Sequence, residues 1–232
     1  MIHMWAVLLP TSRSGINRDG EPWRMNFFPR SVSPVKQSTV ALIVIMTLAC
    51  TTKLHAVDEP QVRLNTDGYR PSGDIDVTQD GSLIRVVWPL NSGRRGQLTF
   101  DLTRNRPLIH TAAVSPKGSE TFQQIGKAFD PMVQVRVGDR DLQKRGSWTI
   151  FFDRMQRKPS ELFRAKIEQK RAIVTSNARR ATLTIGDIAA GPFQGQMRWT
   201  FYAGNSFVLQ EAVMKTDRKS TAYLYYTGLV CR

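Results

Sequence analysis

The feature that most constrains the fold is a strict alternation of apolar and polar residues from Phe193 to Tyr202. A period of two with one apolar face indicates a half-buried β-strand. The following Ala203-Gly204-Asn205 favours a tight turn, because Gly and Asn tolerate positive φ angles. The stretch therefore predicts one arm of a hairpin at the end of an antiparallel sheet. The apolar face holds Phe193, Met197, Trp199 and Phe201, and the polar face holds Gln194, Gln196, Arg198, Thr200 and Tyr202.

The register of this hairpin follows from how well the two apolar faces match. One register places Trp199 opposite Leu209, whereas a slip of one residue sets Thr200 against Leu209, so we expect the first. It leaves Glu211 on the apolar face, where a carboxylate is costly unless it is paired or near the rim. Glu211 is therefore either a rim residue paired with an arginine or a ligand-binding or catalytic carboxylate.

Similar short strand patterns recur from residue 75 to the end of the chain, separated by turn signals such as Gln79-Asp80-Gly81. Many short strands at this spacing predict an all-β antiparallel sandwich or barrel, and we expect a sandwich. Ser119–Ala128 is the one segment with a helical pattern. The predicted strands are Ile75–Thr78, Leu83–Leu90, Gln97–Leu102, Leu108–Val114, Val133–Val137, Trp148–Phe152, Phe163–Gln169, Ala172–Ser176, Ala181–Ile188, the hairpin and Ala222–Leu229.

The first 56 residues carry export signals rather than a fold. Residues 1–24 lack periodicity and are predicted to be a non-native N-terminal extension. Residues 25–56 contain basic residues, an apolar run of 12 residues from Thr39 to Cys50, and a small residue, Ala56, at a cleavage position. This order is typical of a signal peptide, and the run is shorter than the roughly 20 residues that span a bilayer. Lipid attachment at Cys50 is an alternative.

Cleavage after Ala56 leaves residues 57–232 as a single domain, with a loose lead-in expected over residues 57–73. This part has 27 Lys and Arg residues against 17 Asp and Glu, a net charge of +10. Its single cysteine, Cys231, and single histidine, His110, exclude both an internal disulfide and a Cys/His zinc site. We therefore predict no metal and no cofactor. The localisation expected is the periplasm, the cell envelope or the medium.

The strands ending in Arg198–Gly204, Phe207–Ala212 and Ala222–Tyr226 resemble those of the galactose mutarotase-like β-sandwiches. The resemblance covers about residues 83–229. It implies an exported carbohydrate-active protein: a mutarotase, a domain of a glycoside hydrolase or polysaccharide lyase, or a binding module. Members with mutarotase activity use histidines and a carboxylate on the concave sheet, and His110 alone does not supply that set. Mutarotase activity itself is therefore not expected.

Candidate site residues lie on the polar face of the hairpin. Amide and guanidinium donors suit hydroxyls and carboxylates, and a tyrosine ring offers a flat apolar surface to a sugar. The alternative is an ordinary solvated sheet face. The predicted substrate-binding residues are Gln196, Arg198, Tyr202 and Gln210, and the catalytic candidates are His110, Tyr202 and Glu211.

Three classes of function follow from these patterns. The first is an exported carbohydrate-binding or structural β-sandwich protein of the cell envelope without a complete catalytic site. The second is a truncated or reduced polysaccharide lyase or glycoside hydrolase, in which Arg198 neutralises a uronate and Tyr202 or His110 takes the proton. The third is a protein–protein interaction module that pairs through exposed strand edges. The positive charge suits an acidic polysaccharide, whereas export argues against nucleic acid as the natural partner.

Overall fold

The protein is an all-β sandwich of two mostly antiparallel sheets. The computed structural model describes residues 61–71, 74–140 and 159–231, together with the backbone of residues 2–8. Two compact units divide the chain, and the first, Met1–Pro10 with Pro60–Arg232, contains every described strand. The second, Thr11–Glu59, lies outside the described residues. The whole predicted signal peptide, with Cys50, falls in that second unit, and the predicted strand Trp148–Phe152 also lies outside the described residues.

The first sheet has six strands in the order β1-β12-β11-β10-β9-β2. All neighbours in it pair antiparallel except β2 and β9, which are parallel. Its strands are β1 (Ile2–Leu8), β2 (Leu64–Gly68), β9 (Lys166–Asn177), β10 (Arg180–Ala190), β11 (Phe193–Tyr202) and β12 (Val208–Lys215).

The second sheet has seven strands, in the order β13-β7-β6-β5-β4-β3, with β8 paired to β7. A single 3-10 turn, Asn91–Gly93, lies between β4 and β5. No helix in the described part of the chain has the length and hydropathy needed to cross a membrane. The strands are β3 (Asp76–Asp80), β4 (Leu83–Pro89), β5 (Arg95–Asp101), β6 (Ile109–Ser115), β7 (Gln123–Asp139), β8 (Glu161–Arg164) and β13 (Thr221–Cys231).

The core lies between the two sheets and contains two aromatic pairs that join them. Phe100 on β5 meets Trp199 on β11 edge-on, with ring centroids 5.0 Å apart. Trp88 on β4 meets Phe201 on β11 at the same centroid distance. The apolar face that the alternation predicts for β11 is therefore the face that the sandwich buries, as expected for sheets packed face to face.

Three segments differ from the expectations of the sequence. Residues 57–73 are not simply a loose lead-in, because Leu64–Gly68 forms β2 along β9. The helix predicted over Ser119–Ala128 is wrong, since Gln123–Ala128 belongs to β7 and pairs with β6. Within residues 1–24, where no regular structure is expected, the apolar run Ile2–Leu8 pairs antiparallel with β12. Backbone pairing with other strands determines the structure of all three segments, and local residue preference does not show this pairing.

The predicted hairpin register is also wrong by one residue. Thr200 lies opposite Leu209, and Trp199 lies opposite Gln210. The reason is the docking of the 203–207 turn on β4, where Gly204 N donates to Pro89 O and Trp88 Nε1 donates to Asn205 O, both at 2.9 Å. These contacts hold a turn that is longer than the predicted one. Every β12 side chain therefore lies on the face of the sheet opposite to the predicted face.

Candidate functional site

A groove of about 520 Å³ crosses the outer face of the six-stranded sheet, on the side away from the core. We call it the outer groove. Its volume falls within the range of small-molecule sites. It lies where β10 bulges between Ile185 and Ile188, which shifts the register with both β9 and β11. Such a bulge bends its strand and re-aims nearby side chains. The lining residues used below are Lys166, Glu168, Arg171, Asp187, Gly195, Gln196, Arg198, Val213 and Lys215.

Two glycines make this local geometry possible. Gly186 in the bulge has φ of +63°, and a Cβ there would collide with the carbonyl oxygen of Glu168. A Cβ at Gly195 would collide with the carbonyl oxygen of Val213 on β12. Each position therefore accepts a close backbone approach that any side chain would block. These approaches shape the sheet where the outer groove crosses it.

Positive charge predominates in the outer groove. Lys166, Arg171, Arg198 and Lys215 line it, against the two carboxylates of Glu168 and Asp187. The described lining therefore has a formal net charge of +2. A charge of this sign favours an anionic ligand, because the cations surround one depression of the sheet.

Both lining carboxylates are held by cations. Glu168 and Asp187 lie directly opposite each other on β9 and β10, an arrangement that is unfavourable for like charges. Lys170 Nζ lies 2.6 Å from Glu168 Oε2, and Arg171 Nη2 lies 2.5 Å from Asp187 Oδ1. The Lys170 hydrogen bond lowers the pKa of the exposed Glu168 carboxyl, and the Glu168 hydrogen bond raises the pKa of the Lys170 ammonium group. The Glu168 carboxyl is therefore not a proton donor near neutral pH.

Gln196 and Arg198 stand side by side on the outer face of β11. The Gln196 amide oxygen, in the amide orientation that satisfies both groups, accepts from Arg198 Nε at 3.0 Å and also from Nη2. Arg198 lies between Thr184 on β10 and Glu211 on β12 in the register. The Gln196 amide orients a guanidinium group whose fork matches a carboxylate or sulfate ligand.

The structure brings together only part of the predicted site. Gln196 and Arg198 line the outer groove, and Glu211 is opposite Arg198 on the same face rather than on the apolar face. Tyr202 lies on that face but four residues beyond Arg198, or about 13 Å along the strand, and it is not part of the lining.

Gln210 and His110 lie elsewhere. Gln210 is 2% exposed and faces the core, where its Oε1 accepts from Trp199 Nε1 at 3.1 Å. The prediction that Gln210 lies beside Arg198 on one face is therefore wrong. The cause is the one-residue difference between the predicted and the observed register of β11 and β12. His110 is exposed on β6 of the other sheet, at a register shift against β5. The described residues therefore place no histidine in the outer groove.

Sequence reasoning missed the groove residues that come from other strands. Lys166, Arg171 and Asp187 lie on β9 and β10, and Lys215 ends β12. The pair Lys170-Arg171 is visible in the sequence as a basic step between two predicted strands. Its position beside Arg198 depends on the strand order, which residue periodicity does not contain.

The chemistry that this arrangement supports is binding by charge and hydrogen bonds. The described lining has no aromatic side chain on which a sugar ring would stack. Among the described residues, no group of three His, Cys, Asp or Glu side chains is arranged to hold a metal ion. In comparisons with known proteins, no family model matches the chain, and no curated protein is significantly similar to it. The outer groove itself is therefore the basis for a functional proposal.

Proposed function

We propose that this chain is an exported carbohydrate-binding β-sandwich protein of the cell envelope and that its outer groove binds an acidic saccharide. The observation that carries the proposal is the convergence of Lys166, Arg171, Arg198 and Lys215 on one groove whose two carboxylates are held by cations. Guanidinium and ammonium groups are the side chains best suited to saccharide carboxylates and sulfates.

The composition of the lining favours acidic over neutral saccharides. A neutral pyranose depends on ring stacking as well as on hydrogen bonds, and the described lining offers no aromatic ring. A uronate or sulfated sugar instead gains charge-assisted hydrogen bonds, which are about twice as strong as neutral ones. Binding rather than turnover is the simpler activity, because His110 and Tyr202 both lie away from the groove.

The test is binding of the purified protein to neutral glycans, acidic polysaccharides and DNA, each at low and high salt. Specific recognition predicts saturable binding to one class of acidic glycan that persists at high salt. Binding to every polyanion that disappears with salt would contradict the proposal, because it would reflect only the net positive charge of the protein.

Arg198→Ala and Arg85→Ala form a matched pair of variants for this assay. Each removes one arginine, but Arg85 is exposed on β4 of the other sheet. Loss of a charge-assisted hydrogen bond costs about 1.5–3 kcal/mol, so Arg198→Ala should weaken binding about tenfold or more. Arg85→Ala should leave the affinity nearly unchanged. Equal losses in the two variants would show that the outer groove is not the site.

A further inference from the structure

The side of β12 that faces away from β11 pairs with a strand from far along the chain. In the structure, Ile2–Leu8 lies along Val208–Met214 in seven consecutive antiparallel pairs, from Ile2 opposite Met214 to Leu8 opposite Val208. We call Val208–Met214 the β12 edge. β1 is distant in sequence, and the remaining strands of the sheet, β12-β11-β10-β9-β2, pair with one another without it. The strand on this edge is therefore an addition to a sheet that is otherwise continuous.

The β12 edge lacks the features that protect natural sheet edges. Exposed edges are commonly short, bulged, charged or interrupted by proline. Val208–Met214 has no proline, its register with β11 is regular, and Glu211 is its single charged residue. The opposite edge of the same sheet, β2, differs: it spans five residues, includes Asn65 and Asp67, and has a shifted register. The β12 edge thus has the character of an interior strand.

Export changes what covers this edge. In the proposed function, the chain is cleaved after Ala56, and β1 is then lost with the removed segment. Alternate N–H and C=O groups of β12 would lose their partners, because an antiparallel strand directs every second residue's backbone bonds to each neighbour. The core-facing residues of this strand, which are at most 2% exposed with β1 in place, would then lie on the outermost strand of the sheet: Val208, Gln210, Ala212 and Met214.

We propose that the β12 edge is a strand-addition site that binds, antiparallel, an extended segment of a partner protein with apolar residues at every second position. The inference rests on the export processing of the proposed function. The chemistry of the occupant is taken from the strand that the edge accepts here, which carries no charged residue at register positions 2–8. Backbone hydrogen bonds supply affinity in this mode of recognition, and alternate side chains supply specificity.

A second copy of β12 is the less suitable occupant. Antiparallel pairing of two identical β12 strands centred on Glu211 would set the two Glu211 carboxylates opposite each other, which is unfavourable for like charges. An uncharged apolar segment would place no like charge opposite Glu211. The site also adjoins the outer groove, because Val213 and Lys215 of β12 line that groove. A bound strand would therefore extend the sheet beside the saccharide site.

The experiment opens the edge in the full-length chain and offers it a strand of known sequence. Met4→Pro and Trp5→Pro together remove two adjacent N–H groups of β1, so one of the two lost groups faced β12. The probe is a fluorescent peptide with the sequence of residues 1–9, titrated into the double variant and into the wild-type chain. We expect saturable binding to the variant and at least tenfold weaker binding to the wild type, whose edge is occupied.

Two N-methylated peptides with unchanged side chains test whether backbone pairing is responsible. One carries methyl groups on alternate odd positions and the other on alternate even positions, and only one of the two should bind. Binding of both, of neither, or equal binding of the parent peptide to variant and wild type would overturn the proposal. Dimerisation of the double variant without peptide, measured by light scattering, would also overturn it in favour of a second copy.

Folding of the double variant is measured in the same series by thermal unfolding. If the variant is unfolded alone, addition of the peptide should restore the cooperative transition, and failure to restore it would overturn the proposal. Glycan binding is measured on the same folded samples. Peptide binding without glycan binding would contradict the proposed function alone. Glycan binding without peptide binding would contradict strand addition alone.

Discussion

At the scale of single residues, the buried pair Trp199 and Gln210 shows how the stability of the fold depends on one buried hydrogen bond. Trp199 Nε1 donates to Gln210 Oε1 at 3.1 Å, and both side chains are buried. Gln210→Met keeps a similar volume but removes the acceptor, which leaves the indole N–H unsatisfied. We expect the free energy of unfolding to fall by about 1–3 kcal/mol, as measured by urea denaturation.

A double-mutant cycle separates this hydrogen bond from packing. Trp199→Phe removes the donor, so adding Gln210→Met to Trp199→Phe should cost less than Gln210→Met costs alone. If the two substitutions lowered the free energy of unfolding additively, the hydrogen bond would not account for the effect of Gln210→Met.

The contribution of Tyr69 to the free energy of unfolding depends on pH. Its hydroxyl donates to Ile75 O at 2.7 Å, and burial, reinforced by nearby Asp76, raises the pKa of Tyr69 above its ordinary value of 10.0. Because the folded-state pKa is raised, this contribution is present below the unfolded pKa and is lost as pH rises through the folded pKa.

We expect Tyr69→Phe to lower the free energy of unfolding by about 0.5 kcal/mol near neutral pH, since the half-exposed hydroxyl gives a hydrogen bond at the low end of the usual range. The difference from wild type should shrink above about pH 10. Chemical denaturation of both proteins across this range measures the difference. A gap that widens with pH would contradict the assigned cause of the pKa shift.

At the scale of elements, the bulge of β10 depends on Gly186. Its φ of +63° and the nearby Glu168 carbonyl oxygen both oppose a side chain. Gly118 has a similar φ of +71°, but a Cβ there would meet nothing within 4 Å. Gly118→Ala should therefore cost only the conformational strain of about 1–2 kcal/mol, and Gly186→Ala should cost clearly more.

Thermal unfolding of the two glycine variants measures this difference, and saccharide binding supplies a second readout. Gly186→Ala should also weaken saccharide binding, because the bulge shapes the outer groove, whereas Gly118→Ala should not. Equal stability losses in the two variants would show that the backbone approach at Gly186 is unimportant.

The same distinction between local and distant constraints explains what the sequence could predict. Strand β11 has the predicted bounds, Phe193–Tyr202, because alternation is a local property of the chain. Gln196 and Arg198 were predicted as neighbours for the same reason, being two residues apart on one strand. The exchange of faces between Gln210 and Glu211 was not predictable, since turn contacts with Pro89 and Trp88 determine the register. Lys166 and Lys215 join the groove through strand order, which is a global property.

At the scale of the whole molecule, the two sheets share one core and should unfold together. The aromatic pairs Phe100–Trp199 and Trp88–Phe201 each take one ring from each sheet. Neither sheet retains a buried apolar face when the other is removed, so a stable intermediate with one intact sheet is not expected. Tryptophan fluorescence and far-UV circular dichroism should therefore report the same unfolding midpoint.

Phe100→Ala tests how far this shared core determines stability. Phe100 is fully buried against Trp199, so its truncation should cost about 3–5 kcal/mol, a large share of the 5–15 kcal/mol typical of a domain. Phe207→Ala is the control, because Phe207 is 46% exposed and should change stability by about 0.5 kcal/mol or less. Separate fluorescence and dichroism midpoints in Phe100→Ala would mean that each sheet has an independent source of stability. A single lowered midpoint would instead mean that the contacts between the two sheets stabilise both of them. The same contacts would then also stabilise the outer groove and the β12 edge, which lie on the six-stranded sheet.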